Sequence, residues 1–123
     1  VLMTCTQSRE PLVRGAWLRP GQHVTAIGAD DPSKCELAAD ALARASVYVD
    51  SIATTAANGD VARAIAGGSY AIGNIAGELG GLLSQDSPWQ RPNDAITIAK
   101  FVGIGAQDHQ AAETTLLRLG LIG

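Results

Sequence analysis

Short apolar runs rich in β-branched residues alternate along this chain with stretches whose apolar residues return every three or four positions. The first class predicts strands and the second amphipathic helices. Val1-Leu2-Met3-Thr4-Cys5-Thr6 reads as a buried strand running into the polar stretch Gln7-Ser8-Arg9-Glu10-Pro11. Pro20-Gly21 signals a turn, and His23-Val24-Thr25-Ala26-Ile27 a second short strand. Leu37, Ala38, Ala41, Leu42 and Ala45 mark one face of a helix, and residues 46–50 form a third strand. Residues 53–66 are helical in composition, but Asn58-Gly59 divides them into two short helices. A helix is expected over 75–83, a surface loop over 84–93 and a fourth strand over 95–102. The last helix is expected over 106–119, with Ala112, Leu116 and Leu119 along one stripe.

Strands alternating with helices through short links imply one α/β domain over 1–123, a parallel sheet covered by helices. Hydrophobic residues make up 46% of the chain but aromatics only 4%, so the core must be built from Ala, Val, Leu and Ile. A net charge of −3 gives no electrostatic footprint for nucleic acid. No apolar run approaches the ~20 residues a membrane helix needs. The start Val1-Leu2-Met3 lacks a basic leader, so a cytoplasmic location is expected. Cys5 and Cys35 lack metal or disulfide spacing and are expected to be reduced, structural thiols. Cys35, at an expected helix start, is the one whose pKa such a position can lower. His23 and His109 have no partner pattern for metal or nucleophile chemistry.

The run from Ala26 to Leu37 carries the most chemistry. A strand reaches Gly28, the acidic pair Asp30-Asp31 follows, and Ser33 and Glu36 have the spacing of a capping box that opens a helix. Strand, sharp turn and helix start are how α/β domains set a carboxylate and backbone N–H groups at a ligand crevice. An acidic pair ahead of a helix is commonly no more than a set of caps and dipole partners, which is the plainer reading of Asp30 and Asp31, and Lys34 is more commonly a solvated lysine. Glu78 suits a helix–loop junction, and Asp108 the positive end of the last helix.

The segments Thr4-Cys5-Thr6-Gln7-Ser8-Arg9-Glu10-Pro11, Leu18-Arg19-Pro20-Gly21-Gln22-His23-Val24 and Gly28-Ala29-Asp30-Asp31-Pro32-Ser33-Lys34-Cys35-Glu36-Leu37 resemble the ornithine cyclodeaminase/mu-crystallin family. Val49-Asp50-Ser51, Gly59-Asp60-Val61, Gly77-Glu78-Leu79-Gly80 and Gly103-Ile104-Gly105-Ala106-Gln107-Asp108 continue the same order and spacing. The resemblance implies the C-terminal half of a Rossmann-type NAD(P)-binding domain, here a partial parallel sheet of about four strands flanked by helices. It implies NAD- or NADP-linked oxidoreductase or cyclodeaminase chemistry on amino acids or cyclic imines. Asp30 falls at a proton-transferring position, whose pKa partial shielding would raise toward neutrality. Thr4, the backbone from Val24 through Thr25 and Ala26 to Ile27, Lys34 and Phe101 fall at cofactor positions, and Val102 at a substrate position. No metal is implied.

Three features depart from the family pattern. The sequence contains no Gly-x-Gly-x-x-Gly turn, which the family places N-terminal to the segments found here. The family's substrate domain is missing, and Phe101 stands where many members have a Ser. Two function classes follow: a truncated cyclodeaminase-like chain, inactive alone, or a small α/β protein that assembles or binds a small ligand without catalysis. With strand 1–6 left as an apolar edge, a homodimer through that strand and the last helix is expected.

Overall fold

A computed structural model describes residues 1–84 and 89–123. Its centre is a five-stranded, wholly parallel sheet in the order β1-β2-β5-β3-β4. The strands are β1 (Leu2–Thr4), β2 (His23–Ala26), β3 (Ser46–Val49), β4 (Ile75–Glu78) and β5 (Thr97–Lys100). The helices are α1 (Ala39–Ala43), α2 (Ile52–Thr55), α3 (Gly59–Ala66), α4 (Leu79–Leu83) and α5 (Gly105–Arg118). The last strand inserts between β2 and β3, and all four of its residues are buried. In β2 and β3 buried and half-buried residues alternate, the period-two signature of a pleated strand.

The core is aliphatic, as the composition requires. Val24, Leu42, Val47, Val49, Val61 and Ile98 are fully buried, and small Ala26 and Ala41 let helix and sheet approach closely. Trp89 sets its ring edge-on to Tyr48 of β3, with centroids 5.2 Å apart.

Four expectations about elements are corrected. The sheet has five described strands, not about four, because Ile75–Glu78 pairs with β3 as an edge strand and only Leu79–Leu83 is helical. Without β-branched residues after Ile75, that strand is dictated by its neighbour rather than by local propensity. The helix expected from Leu37 begins at Ala39, with Ala38 as a cap lacking any side-chain bond. Residues 35–38 instead run extended beside 12–13: Leu12 N and Val13 N donate to Glu36 O, and Ala38 N donates to Val13 O. The Ser33–Glu36 capping box is therefore not formed. Cys5 is exposed rather than buried. The division at Asn58-Gly59 is present, with α2 and α3 on either side. Of the expected loop over 84–93, residues 85–88 lie outside the described residues, and 89–93 are irregular.

The N-terminal strand occupies an edge of the sheet, with Leu2 and Met3 43% and 64% exposed. No residue of α5 is buried. No helix among the described residues is long and apolar enough to cross a membrane.

Candidate functional site

The register brings the strand ends into one row. Thr4 pairs with Ala26, Ala26 with Lys100, Lys100 with Val49, and Val49 with Glu78. These are the last residues of all five strands, so the chain leaves the sheet along a common rim. Ligands of open parallel α/β sheets bind outside such a rim.

Buried charged side chains hold the rim from beneath. Glu36 is fully buried and ties β1 to the turn after β2. Its carboxylate accepts from Thr4 Oγ1 (2.9 Å), Thr6 N (2.6 Å) and Gly28 N (2.8 Å). Burial pushes its pKa up, but these bonds outweigh burial and leave it below the ordinary glutamate value. Gly28 is required by this approach, since a Cβ there would fall within 2.5 Å of Glu36 Oε1 and closer still to the Thr6 backbone.

Lys100 and Asp60 form a second link, with neither side chain exposed. Lys100 Nζ lies 3.3 Å from Asp60 Oδ2 and donates to Ala29 O (2.7 Å) and Phe101 O (2.9 Å). Asp60 Oδ1 accepts from Glu36 N (2.6 Å) and Leu37 N (2.8 Å), which fixes the extended segment before α1. Asp60 Oδ2 has no hydrogen-bond partner; Asp60 lines a small cavity shared with Cys35 and Arg63. Gly59, at φ 69°, places its N–H against Asp31 O at 3.2 Å.

Asp50, where the chain leaves β3, is the third link. Its Oδ2 accepts from Val102 N (2.9 Å) and Gly103 N (2.7 Å), and its Oδ1 from Ser51 N (2.9 Å) and Thr55 Oγ1 (3.3 Å). Glu78 plays a related part at the far edge, accepting from Ile52 N (2.7 Å) at the start of α2.

On this frame the turn after β2 presents Asp30, whose side chain is 51% exposed. Lys34 Nζ donates to Asp30 Oδ1 at 2.6 Å and lies 3.6 Å from Asp31 Oδ2, so one ammonium serves two carboxylates. Asp31 also closes a local turn, accepting from Ser33 N (2.6 Å), Ser33 Oγ (2.7 Å) and Lys34 N (3.2 Å). The hydrogen bond from Lys34 holds the Asp30 pKa below the ordinary aspartate value, and Lys34 is raised in return. This corrects the expectation of a carboxyl raised by shielding. Asp30 is poised as an anion whose partner cation an acidic ligand can compete for.

The other expected site residues divide by burial. Thr4 is 7% exposed and its hydroxyl is engaged by Glu36. Val24 and Ala26 are fully buried within a strand paired on both sides, whereas Thr25 is half-buried and Ile27 is 39% exposed. Phe101 and Val102 are half-buried on the next exit, beside Ile27, with Phe101 N donating to Ala26 O at 2.9 Å. The Asp30 turn and the Phe101–Val102 exit thus lie side by side, joined through Lys100.

Cys35 corrects another expectation. With no helix starting there, burial and nearby Asp60 push its thiol up to about 11. His23 stays in the sheet, Nδ1 2.8 Å from Thr97 Oγ1, its pKa lowered by burial and by Arg91. His109 is exposed on α5. Among the described residues no group of three or more His, Cys, Asp or Glu could hold a metal.

Lys100 and Asp60 were missed as rim supports by sequence reasoning. The available signal was Lys100 itself: two positions after Ile98 it shares that residue's face in a central strand, where a lysine needs a buried partner.

Comparison with known proteins agrees with this architecture. The chain is 31% identical over 113 residues to the alanine dehydrogenase of Archaeoglobus fulgidus, covering 92% of this chain and 35% of that protein. An archaeal alanine dehydrogenase dimer with bound NAD superposes with a TM-score of 0.86 at 29% identity, covering 99% of this chain and 39% of that one. The Thermococcus litoralis Δ1-pyrroline-2-carboxylate reductase, solved with NADH and L-proline, gives 0.84 at 27% identity over 97% of this chain. The chain therefore spans little more than a third of the length of these relatives. The family model of the ornithine cyclodeaminase/mu-crystallin family matches residues 1–117, and the chain belongs to that family.

Proposed function

We propose that this chain forms the nicotinamide side of an NAD(P)-binding crevice in an oxidoreductase or cyclodeaminase acting on amino acids or cyclic imines, and is inactive alone. The observation that carries the reading is the junction of the Asp30 turn with the Phe101–Val102 exit on one rim, bridged by Lys100 to Ala29 O and Phe101 O. Ile27, Phe101 and Val102 offer partly exposed apolar surface suited to a flat ring. That surface fits the nicotinamide half of a dinucleotide; the sequence supplies no Gly-x-Gly-x-x-Gly cradle for its pyrophosphate. A bound nicotinamide supplies hydride transfer. Lys34 pairs with an anionic group of the ligand, which frees Asp30 Oδ1 to accept or return a proton at the substrate carbon or its hydrated imine. Val102 borders the substrate.

Titration of the 15N-labelled chain with millimolar NAD+ tests this. Amide shifts confined to 27–34 and 101–103, with no turnover of ornithine, proline or a cyclic imine, are expected. Turnover by the 123 residues overturns inactivity, and an absence of shifts at the rim overturns the crevice reading.

The open edge of β1, with Leu2 and Met3 exposed, favours a second reading, an α/β unit that assembles or binds a ligand without catalysis. In either case the open edge of β1 and the unburied α5 support a homodimer formed through both. A monomer by light scattering at micromolar concentration overturns that assembly.

A further inference from the structure

We propose that Asp50 and Lys100 are positioning residues that clamp the Phe101–Val102 peptide unit from its two ends. What the clamped peptide faces rests on the crevice reading above; the clamp itself does not. Lys100 Nζ donates to the carbonyl of this peptide at 2.9 Å, and Asp50 Oδ2 accepts from its N–H at 2.9 Å. A cation meets the negative end of the peptide dipole and a carboxylate meets the positive end, so both bonds are charge-assisted. Rotating the peptide by half a turn would set the carbonyl against the carboxylate and the N–H against the ammonium. The arrangement admits one orientation.

The jaws are anchored away from the loop they hold. The other oxygen of Asp50 is engaged by Ser51 N, at the N-cap of α2, and by Thr55 Oγ1, on the last residue of that helix. Lys100 is anchored by Asp60 in the first turn of α3 and by Ala29 O beneath the Asp30 turn. The consecutive N–H groups of Val102 and Gly103 converge on the same Asp50 oxygen, and Gly103, at φ 86°, turns the chain away beyond them. Such a concavity of backbone N–H groups binds anions, and here the protein fills it with its own carboxylate. Upstream, Phe101 N is already engaged by Ala26 O at 2.9 Å. Every backbone polar group from Phe101 N to Gly103 N, except the Val102 carbonyl, therefore has an assigned partner. The half-buried Phe101 and Val102 side chains inherit their setting from this fixed backbone.

The test compares Asp50→Asn and the charge-neutral double variant Lys100→Met/Asp60→Asn with the unsubstituted chain. Leu42→Ala in α1 is the control, because it destabilises the same core and is not among the hydrogen-bond or ion-pair partners of either jaw. An Asn at position 50 keeps one acceptor oxygen and no charge: turned toward Ser51 N it leaves the Val102 and Gly103 amides unpaired, and turned toward them it offers only a neutral, weaker acceptor, so their bond weakens in either orientation. Hydrogen exchange at the Val102 and Gly103 amides should accelerate about tenfold or more in Asp50→Asn, and NAD+ affinity by amide-shift titration should fall about tenfold. In the double variant the freed carbonyl should lower NAD+ affinity likewise. In Leu42→Ala the affinity of the folded chain should be unchanged, which separates positioning from stability. Unchanged exchange at both amides in Asp50→Asn overturns the clamp, and faster exchange with unchanged NAD+ affinity overturns its positioning role. If the unsubstituted chain shows no NAD+-induced shift, the crevice reading falls and the exchange rates alone decide the clamp.

Discussion

Replacing Lys100 by Met should be among the most damaging single changes in this chain. Lys100 and Asp60 are both fully buried, and Nζ also serves the carbonyls of Ala29 and Phe101. Methionine fills most of the stem's volume, so the loss is electrostatic rather than a cavity. Removing one partner of a buried pair costs about 3–5 kcal/mol, because the other charge stays out of water uncompensated. Against a domain stability of about 5–15 kcal/mol, that is a large fraction of the total. Asp60→Asn should cost a similar amount for the converse reason, although its Oδ1 still accepts from Glu36 N and Leu37 N. The double variant removes both charges together and should be less destabilised than the sum of the singles by about 2 kcal/mol or more. Urea denaturation of the four proteins at neutral pH, followed by circular dichroism, completes the cycle. A loss below about 1 kcal/mol for Lys100→Met, or strictly additive singles, would falsify a coupled buried pair.

Acid should unfasten Glu36. Its folded pKa lies below the ordinary 4.5, so its contribution is fully present above that value and is lost as pH falls through the lower folded value. Glu36→Gln should flatten this part of the acid limb of a stability-versus-pH curve, and an unchanged limb would count against the Thr4–Thr6–Gly28 tie. Gly59→Ala combines a positive φ with a Cβ driven into the Ala29 carbonyl oxygen, and should cost about 2 kcal/mol or more in urea titrations. With Cys35 buried and pushed up to about 11, a thiol reagent at pH 8 should modify exposed Cys5 rapidly and Cys35 only after denaturation. Two rapid equivalents per native chain would contradict that burial.

The parts of this fold legible in the sequence are those whose causes are local. The β-branched runs of β2 and β3, the Pro20-Gly21 turn and the break at Asn58-Gly59 depend on residues a few positions apart. The Ser33–Glu36 spacing is just as local, and it misleads because a longer-range interaction wins. Thr6 N and Thr4 Oγ1, about thirty positions away, capture the Glu36 carboxylate, and Val13 pairs with Leu37 in the segment that would have begun the helix. Ile75–Glu78 follows the same rule, its strand state imposed by β3 rather than written in Ala76-Gly77.

The candidate site divides in the same way. Asp30 and Lys34 were readable because they are four residues apart on one turn and meet there. Asp60 with Lys100, and Asp50 with Val102, join positions forty and more than fifty residues apart, a distance that no spacing rule reaches. Beyond the Lys100–Asp60 pair itself, each of these buried charges bonds to main-chain groups of a different element, whose side-chain identity leaves no trace in the sequence. What remains visible is the charge itself, a Lys in the face of a central strand or an Asp at a strand's end. A charged residue placed where period-two burial demands an apolar one is best read as a fastening whose other half is a main-chain group elsewhere. In this chain those fastenings converge on the rim that presents Asp30, Phe101 and Val102, which is why the exposed residues of the candidate site can be few while their support is extensive.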